Sequence, residues 1–244
     1  MMTKEQQLVV DTVCDPSIPS DVIVAVEAVA GSGKSSTAKA CIEAYKPRYG
    51  LYTAFNKSVI SDGDKKFGNL INCKTLHALA YRYANTSRVS PTDLTVYDIK
   101  ENVELGEKYK VIKHIDEFFR SKHLLLDSYI EEVDKRFNES GIEDYRNIDC
   151  LENHVKDLIF RYADLMLNGK IKPTFNYLLK AFHCMLDAGL KVDYDLLILD
   201  ECQDVVNVTF EIFKLIKAKR KLILGDSYQN IYSFMNTKIG RAHV

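Results

Sequence analysis

The feature that most constrains this chain is the stretch EAVAGSGKSST, which follows an apolar β-branched run and precedes a helix-compatible segment. A strand that leads through a glycine-rich turn into a helix presents backbone N–H groups to an anion. In such a loop Lys34 reaches the β- and γ-phosphates of a nucleotide, and the hydroxyl of Ser35 binds Mg²⁺. The strict pattern requires glycine where Ala28 stands, so a glycine-serine turn beside a chance lysine is the alternative interpretation.

Composition narrows the class of protein. The chain has 244 residues, of which 46% are hydrophobic, enough for one large domain or one domain with an insertion. Its formal net charge of −1 excludes a broadly basic nucleic-acid binder, so any DNA contact must be local. The six scattered cysteines form no C-x-x-C pair and indicate reduced thiols. No apolar run approaches the roughly 18 residues of a membrane span.

Hydrophobic patterns divide the chain into sections. Strand and helix patterns alternate over residues 1–85, whereas residues 86–191 show helical periodicity alone. Continuous apolar runs return at Asp195–Asp200 and Lys221–Gly225, as is typical of strands that are buried on both faces. We therefore predict one α/β domain with a parallel sheet, formed by residues 1–85 and 192–238 and interrupted by an all-helical insertion.

A second motif, LLILDECQD, places two acids at the carboxyl end of a predicted buried strand, where open α/β sheets bind their ligands. Asp200 suits Mg²⁺, usually through water, and Glu201 suits a base that deprotonates an attacking water. Two acids at a strand end are equally typical of a solvated surface. Combined with the loop around Lys34, however, the pair predicts nucleotide hydrolysis, because hydrolysis needs both halves.

Six segments in order resemble the UvrD/Rep family of superfamily 1 DNA helicases. From the N-terminus, these are Glu5-Gln6-Gln7 (Q motif), AVAGSGKS (motif I), TAFNKS (motif Ia), KTLHALA (motif Ib), DECQD (motif II) and GDSYQNIYSF (motif III). The family commonly has alanine at the position of Ala28. The wording AFNKS and TLHALA is most similar to the F-box DNA helicase branch and its bacterial and phage relatives.

The resemblance implies a RecA-like P-loop NTPase domain in which the helical insertion corresponds to the 1B subdomain, with ATP and Mg²⁺ as cofactors. Lys34, Asp200, Glu201 and Gln229 are the implied catalytic residues, with Gln229 sensing the γ-phosphate, and Ser35 and Asp200 are the implied metal ligands. The implied nucleotide contacts are Gln6, in the adenine-reading position, and Ala30, Gly31, Ser32, Gly33, Lys34, Ser35 and Ser36.

The resemblance also implies a helicase that translocates along single-stranded DNA in the 3′→5′ direction and engages single strands or strand junctions, in repair or recombination. It places the protein in the cytoplasm of a bacterial or phage-infected cell, or in a eukaryotic nucleus. The implied DNA contacts are Phe55, Asn56, Lys57, His77, Tyr232 and Phe234. Burial is the alternative for the three aromatic residues and for His77. The lysine-rich run from Lys214 to Lys221 is interpreted as a solvated helix face and loop.

The chain departs from the family at its C-terminal end. The second RecA-like domain, which supplies arginines to the γ-phosphate, is absent from the sequence, and we expect the chain alone to bind ATP weakly and to hydrolyse it poorly. The last six residues, Ile239 to Val244, match one reading frame of a common sequencing adapter and are predicted to be a non-native tail.

Two other functions remain open: a P-loop kinase or ATPase without motor activity, and a non-motor module that binds nucleotide or DNA.

Overall fold

The described residues contain a six-stranded parallel sheet, whose strands come from the N-terminal and the C-terminal parts of the chain. The computed structural model describes residues 2–20, 22–28, 32–84, 90–140, 151–226 and 239–243. The strands are β1 (Ile23–Glu27), β2 (Gly50–Ala54), β3 (Asn72–Cys73), β4 (Asp193–Asp200), β5 (Lys217–Gly225) and β6 (Ile239–His243). Their spatial order is β3-β2-β4-β5-β1-β6, and all neighbours run parallel. The predicted α/β fold with a parallel sheet is confirmed.

Nine helices occur in the described residues: α1 (Lys4–Cys14), α2 (Lys34–Tyr45), α3 (Lys57–Phe67), α4 (Leu76–Ala84), α5 (Leu105–Arg120), α6 (Leu126–Ser140), α7 (Asn153–Leu167), α8 (Phe175–Asp187) and α9 (Asn207–Leu215). Contacts between Cα atoms divide the chain into two units. Unit 1 comprises Met1–Leu79, Gly189–Val205 and Ile212–Val244, and unit 2 comprises Ala80–Ala188 and Val206–Glu211. Unit 1 therefore contains the sheet, and unit 2 is helical.

One hydrophobic cluster of unit 1 lies on one face of the sheet. Side chains from the central strands, such as Val24, Ile198 and Leu222, pack there against Val9 of α1 and Ile42 of α2. Because neighbouring helices cover the strands, β4 and β5 are buried on both faces toward their carboxyl ends. The sheet therefore supplies a rigid edge at which the loops after β1, β2, β4 and β5 meet.

Unit 2 has a separate hydrophobic core. It is built from apolar side chains of α5, α6 and α7, among them Val111, Ile115, Val133 and Ile159. Lys180 of α8 is also buried, and its ammonium donates to the carbonyl oxygens of Ser121 (2.7 Å) and His123 (2.6 Å), just beyond the end of α5. The buried charge thereby satisfies carbonyl groups at the C-terminus of a helix, where the helix dipole favours a cation.

The structure corrects the prediction for the lysine-rich run and adds a strand near the C-terminus. The lysine-rich run was predicted to be a helix face and loop, but β5 begins at Lys217, and Lys221 is buried with its ammonium donating to the carbonyl oxygen of Lys214. The prediction holds for Lys214, which lies on α9, and is wrong from Lys217 onward, because exposed and buried residues alternate at the start of β5. Residues Ile239–His243 pair with β1 as a parallel strand and form one edge of the sheet.

Candidate nucleotide-binding site

The phosphate loop leads directly into α2. Gly33 precedes the helix with a φ of 96°, a conformation that favours glycine, and Lys34 is the first helical residue. A Cβ atom on Gly33 would lie 2.8 Å from Nε2 of Gln6, at the end of a flexible side chain, so the positive φ is the main reason for glycine here. The first N–H groups of α2 have no partner within the helix and are suited to bind an anion. Of the loop residues predicted to contact nucleotide, Ala30 and Gly31 lie outside the described residues.

Gln6 lies beside this loop. It is buried, and it forms a capping box at the start of α1: Oε1 of Gln6 accepts from the backbone N–H of Thr3 at 3.0 Å, and the hydroxyl of Thr3 accepts from the backbone N–H of Gln6 at 3.2 Å. The amide nitrogen of Gln6 remains next to Gly33. The structure thus places Gln6 at the phosphate loop, and the role of Gln6 in reading adenine stays a prediction.

Lys34 and Glu201 form an ion pair. The ammonium Nζ of Lys34 lies 3.2 Å from Oε2 of Glu201, and the lysine side chain is only 9% exposed. The two residues follow β1 and β4, which are separated by β5 in the sheet. Gln203 donates from Nε2 to the same carboxylate oxygen at 2.6 Å, and Oε1 of Gln203 accepts from the backbone N–H of Asp226 at 3.2 Å. The end of β4 is thereby linked to the loops after β1 and β5.

Asp200 is buried at the end of β4. Its Oδ1 accepts from the backbone N–H of Glu201 at 2.9 Å, and its Oδ2 accepts from the hydroxyl of Tyr52. Burial raises the pKa of Asp200, and the two hydrogen bonds act in the opposite direction. Burial also raises the pKa of the Tyr52 hydroxyl, so Tyr52 remains the donor in this bond at neutral pH. Asp200 therefore has a buried carboxylate that is fixed by two hydrogen bonds.

The backbone of Glu201 is strained. Its φ of 48° and ψ of 50° lie in the left-handed region, which non-glycine residues rarely adopt. Such strain costs on the order of 1–3 kcal/mol and is found at functional sites when the surrounding structure holds it in place. The conformation turns the chain sharply after β4 into a short 3₁₀ helix, Cys202–Asp204. It aims the side chain of Glu201 back toward Lys34.

The donor set fits a nucleotide with a divalent cation. Lys34 supplies a cation for phosphate oxygens, and Asp200 supplies the carboxylate that Mg²⁺ prefers. Ser35 is half-buried in the first turn of α2, and Ser36 is exposed. The hydroxyl of Ser32 is buried and has no hydrogen-bond partner within the described part of the chain. A buried hydroxyl in the loop is a group that a phosphate oxygen would satisfy.

Four of the six residues predicted to contact DNA follow β2 and β3. Asn56 and Lys57 are exposed at the start of α3, directly after β2. Phe55 and His77 are half-buried, with ring centroids 6.0 Å apart in an edge-to-face arrangement. The structure therefore brings motifs Ia and Ib together at the carboxyl edge of the sheet. Gln229, Tyr232 and Phe234 lie outside the described residues, so their roles stay predictions.

Sequence reasoning missed the role of Tyr52, which lies just before the segment TAFNKS. Its contact with Asp200 depends on the register between β2 and β4, in which Ala54 lies opposite Asp200. The side chain two residues before Ala54 lies on the same face as that of Asp200. A polar aromatic residue in a fully buried strand was the available signal.

The fold and the site together define a P-loop nucleotide-binding domain of the α/β class. The family model described as "AAA domain" matches residues 12–235, and the chain belongs to this family. Membership implies nucleotide binding, typically with a divalent metal. No helix among the described residues is long and apolar enough to cross a membrane.

Two curated relatives are helicases by name. F-box DNA helicase 1 of Gallus gallus is 26% identical over 262 aligned residues, which cover 96% of this chain and 24% of that protein. F-box DNA helicase protein 1 of Schizosaccharomyces pombe is also 26% identical over 262 residues, covering 96% of this chain and 28% of the relative. The chain thus spans about a quarter of the length of these relatives. The predicted resemblance to superfamily 1 helicases is confirmed at the level of a helicase-like P-loop domain.

Proposed function

We propose that this chain is the ATP-binding first motor domain of a DNA helicase that translocates 3′→5′ along single-stranded DNA. The observation that carries the proposal is the pairing of Lys34 with Glu201, beside the buried carboxylate of Asp200. These three groups come from two motifs, and Lys34 is 166 positions from Asp200 in the sequence. Their convergence at one edge of the sheet is what nucleotide hydrolysis requires.

Each residue has a role in this proposal. Lys34 binds the β- and γ-phosphates, the N–H groups at the start of α2 bind the remaining phosphate oxygens, and Ser35 and Asp200 hold Mg²⁺. When bound, Mg²⁺ neutralises phosphate charge and orients the triphosphate. Glu201 positions the attacking water and accepts a proton from it. Gln229 senses the γ-phosphate, and Gln6 contacts adenine.

In the proposed site, Lys34 exchanges its ion pair with Glu201 for contacts with phosphate when the nucleotide binds. A bound triphosphate and Glu201 compete for the same ammonium, because both are anionic and Lys34 is largely buried. Once Lys34 turns to phosphate, Glu201 loses its cationic partner and becomes available to a water molecule. Gln203, which donates to Glu201, would keep the carboxylate in place during the exchange.

The DNA-binding surface in this proposal includes the loops after β2 and β3. Asn56, Lys57 and His77 position the sugar-phosphate backbone, and Phe55 and the motif III aromatics Tyr232 and Phe234 stack on bases. Stacking suits a motor, since it is worth about 1–3 kcal/mol per base and does not depend on sequence. A second RecA-like domain is expected in the complete protein, and arginines from that domain would raise turnover by about 10³–10⁵-fold.

DNA-stimulated ATP turnover tests the proposal in the longest natural protein that contains this chain. We expect single-stranded DNA to stimulate turnover in the wild type, and Glu201→Gln to abolish turnover while nucleotide still binds. Wild-type turnover without DNA stimulation would favour a P-loop ATPase or kinase instead. Nucleotide or DNA binding without any turnover would favour a non-motor binding module.

A further inference from the structure

Tyr52 is a buried tyrosine whose hydroxyl bonds to a carboxylate of the proposed metal site. Its side chain is fully enclosed, with 1% of the residue exposed, and its hydroxyl donates to Oδ2 of Asp200. The bond joins two neighbouring parallel strands, because Tyr52 lies opposite Ile198 and Ala54 lies opposite Asp200. Tyr52 and Asp200 therefore project from the same face of the sheet at adjacent levels.

The ring of Tyr52 is held by α3. The ring of Phe67 packs against it edge-to-face, with centroids 4.8 Å apart and an interplanar angle of 67°. Gly63 lies over the same ring, and a Cβ atom there would approach Cε1 of Tyr52 to 2.7 Å and Cδ1 to 3.1 Å. A side chain at position 63 would therefore push the ring aside. Gly63 and Phe67 together leave one position for the ring and thus for its hydroxyl.

The hydrogen bonds of Asp200 are divided between its two oxygens. The hydroxyl of Tyr52 donates a hydrogen bond to Oδ2, and the backbone N–H of Glu201 donates one to Oδ1. With one donor on each oxygen, the carboxylate plane is fixed, and each oxygen keeps a lone pair for a further partner. Partners that orient a metal-ligating carboxylate in this way tune the metal site, and their loss typically weakens metal binding about 10–100-fold.

We infer that Tyr52 is a positioning residue that orients the carboxylate of Asp200 toward a divalent cation. The inference rests on the proposed function, because it takes Asp200 as the residue that holds the cation. It goes further by assigning the orientation of Asp200 to a side chain outside motif II. It also makes α3 part of the support of the metal site, since Gly63 and Phe67 fix the ring.

Metal binding to the Tyr52→Phe variant of this chain tests the inference. This change removes one hydroxyl and keeps the ring and its packing. The binding of Mn²⁺ in the presence of ADP is followed by electron paramagnetic resonance, and ADP affinity is measured separately in EDTA. We expect the half-saturating Mn²⁺ concentration to rise about 10-fold and the metal-free ADP affinity to stay within about twofold, since Tyr52 bonds to the carboxylate rather than to the phosphate loop.

Two further variants provide the comparison. Tyr45→Phe removes a hydroxyl from another ring that packs against the same core and leaves the bond to Asp200 in place, so Mn²⁺ binding should match the wild type. Gly63→Ala keeps the hydroxyl but displaces the ring of Tyr52, so Mn²⁺ binding should weaken in the same direction as in Tyr52→Phe. Gly63→Ala also decides the question if Tyr52→Phe fails to fold, as monitored by circular dichroism.

The outcomes separate the inference from the function on which it rests. If the wild type binds Mn²⁺ with ADP and Tyr52→Phe binds it equally well, Tyr52 does not position Asp200, and the proposed function stands. An equal loss of metal-free ADP affinity in Tyr52→Phe would assign Tyr52 a general structural role and overturn the inference. If the wild type itself shows no ADP-dependent Mn²⁺ binding, the proposed nucleotide site fails together with the inference.

Discussion

At the scale of single residues, Glu201 combines a strained backbone with a charge pair. Its left-handed conformation places the carboxylate 3.2 Å from the ammonium of Lys34, and Gln203 fixes the same oxygen. This arrangement costs backbone energy that a glycine would not pay. The ion pair with Lys34 and the hydrogen bond from Gln203 hold the carboxylate in this position.

The Glu201→Gln variant of this chain is predicted to bind ATP more tightly than the wild type. The change removes an anion that repels the triphosphate and competes for Lys34, and we expect affinity to rise a few-fold, as for the loss of one partly screened like charge. Titration with a fluorescent ATP analogue in Mg²⁺ measures the change. Asp204→Asn, which removes another acid of the same motif without touching the pair, is the control. Weaker binding in Glu201→Gln would show that Glu201 is not a competitor of the nucleotide.

The buried ammonium of Lys180 is predicted to make the stability of the protein depend on pH. It is 4% exposed, and burial lowers its pKa to about 8, whereas an unfolded lysine titrates near 10.4. Between these values the unfolded state binds more protons than the folded state, so the contribution of Lys180 to stability rises with pH and is lost as pH falls toward 8. The slope is at most about 1.4 kcal/mol per pH unit, the value for one proton.

The pH dependence is measured by comparing unfolding of the wild type with unfolding of Lys180→Met at pH 8 to 10. The stability of the wild type relative to this variant should increase across the range. Lys135→Met, at a lysine on α6 whose side chain is 73% exposed, should show no such increase. Parallel curves for the wild type and Lys180→Met would contradict the assigned burial of the charge.

At the scale of elements, the contact between β2 and α3 sets the position of Tyr52. Gly63 lies inside α3, where glycine is usually unfavourable by about 1 kcal/mol relative to alanine. Its presence there is explained by the ring of Tyr52, since a Cβ atom would come within 2.7 Å of Cε1. Local helix propensity thus gives way to the packing of one aromatic ring.

Gly63→Ala is therefore predicted to destabilise the protein by about 1–3 kcal/mol, the cost typical of overpacking, despite the higher helix propensity of alanine. Thermal or urea unfolding measures the effect. Gly106→Ala on α5 is the matched control, because a Cβ atom there meets no other atom within 4 Å, and it should be neutral or slightly stabilising. Equal behaviour of the two variants would refute the proposed steric role of Gly63.

Sequence patterns predicted some elements better than others. Helix α2 follows the phosphate loop, as the helix-compatible segment there indicated, because a glycine-rich loop defines its start and its pattern is local. Motif II was predicted to lie at the end of a buried strand, as observed for Asp200. The strand at Lys217–Gly225 was predicted to begin four residues too late, because exposed lysines alternate with buried residues in its first half.

The hydrogen bond between Tyr52 and Asp200 cannot be predicted from local sequence patterns. The two residues are 148 positions apart in the sequence, and only the register of β2 against β4 brings them together. A local pattern records which side chains share a strand face, but the pairing of strands is decided by the assembly of the whole sheet. The same reason explains why the pairing of Gln203 with Asp226 was missed.

At the scale of the whole molecule, the chain spans about a quarter of the length of its named relatives. Under the proposed function it holds the half of the ATP site that binds and polarises the nucleotide, and a second RecA-like domain holds the other half. We predict that the chain alone binds Mg²⁺-ATP but turns it over at least about 10³-fold more slowly than the complete protein, the effect of a missing arginine finger. Steady-state phosphate release from both proteins measures the ratio. Comparable rates would show that no such second half is needed.

The central claim is that Lys34 belongs to an ATP site at the carboxyl edge of the sheet. Equilibrium binding of a fluorescent ATP analogue in Mg²⁺ tests it most directly, in the wild type, in Lys34→Ala and in the control Lys39→Ala, a lysine on the same helix with a half-exposed side chain. We predict that the wild type and Lys39→Ala bind alike, and that Lys34→Ala binds about 10- to 100-fold more weakly, as for the loss of a charged hydrogen bond. Equal affinity in all three proteins would contradict the account.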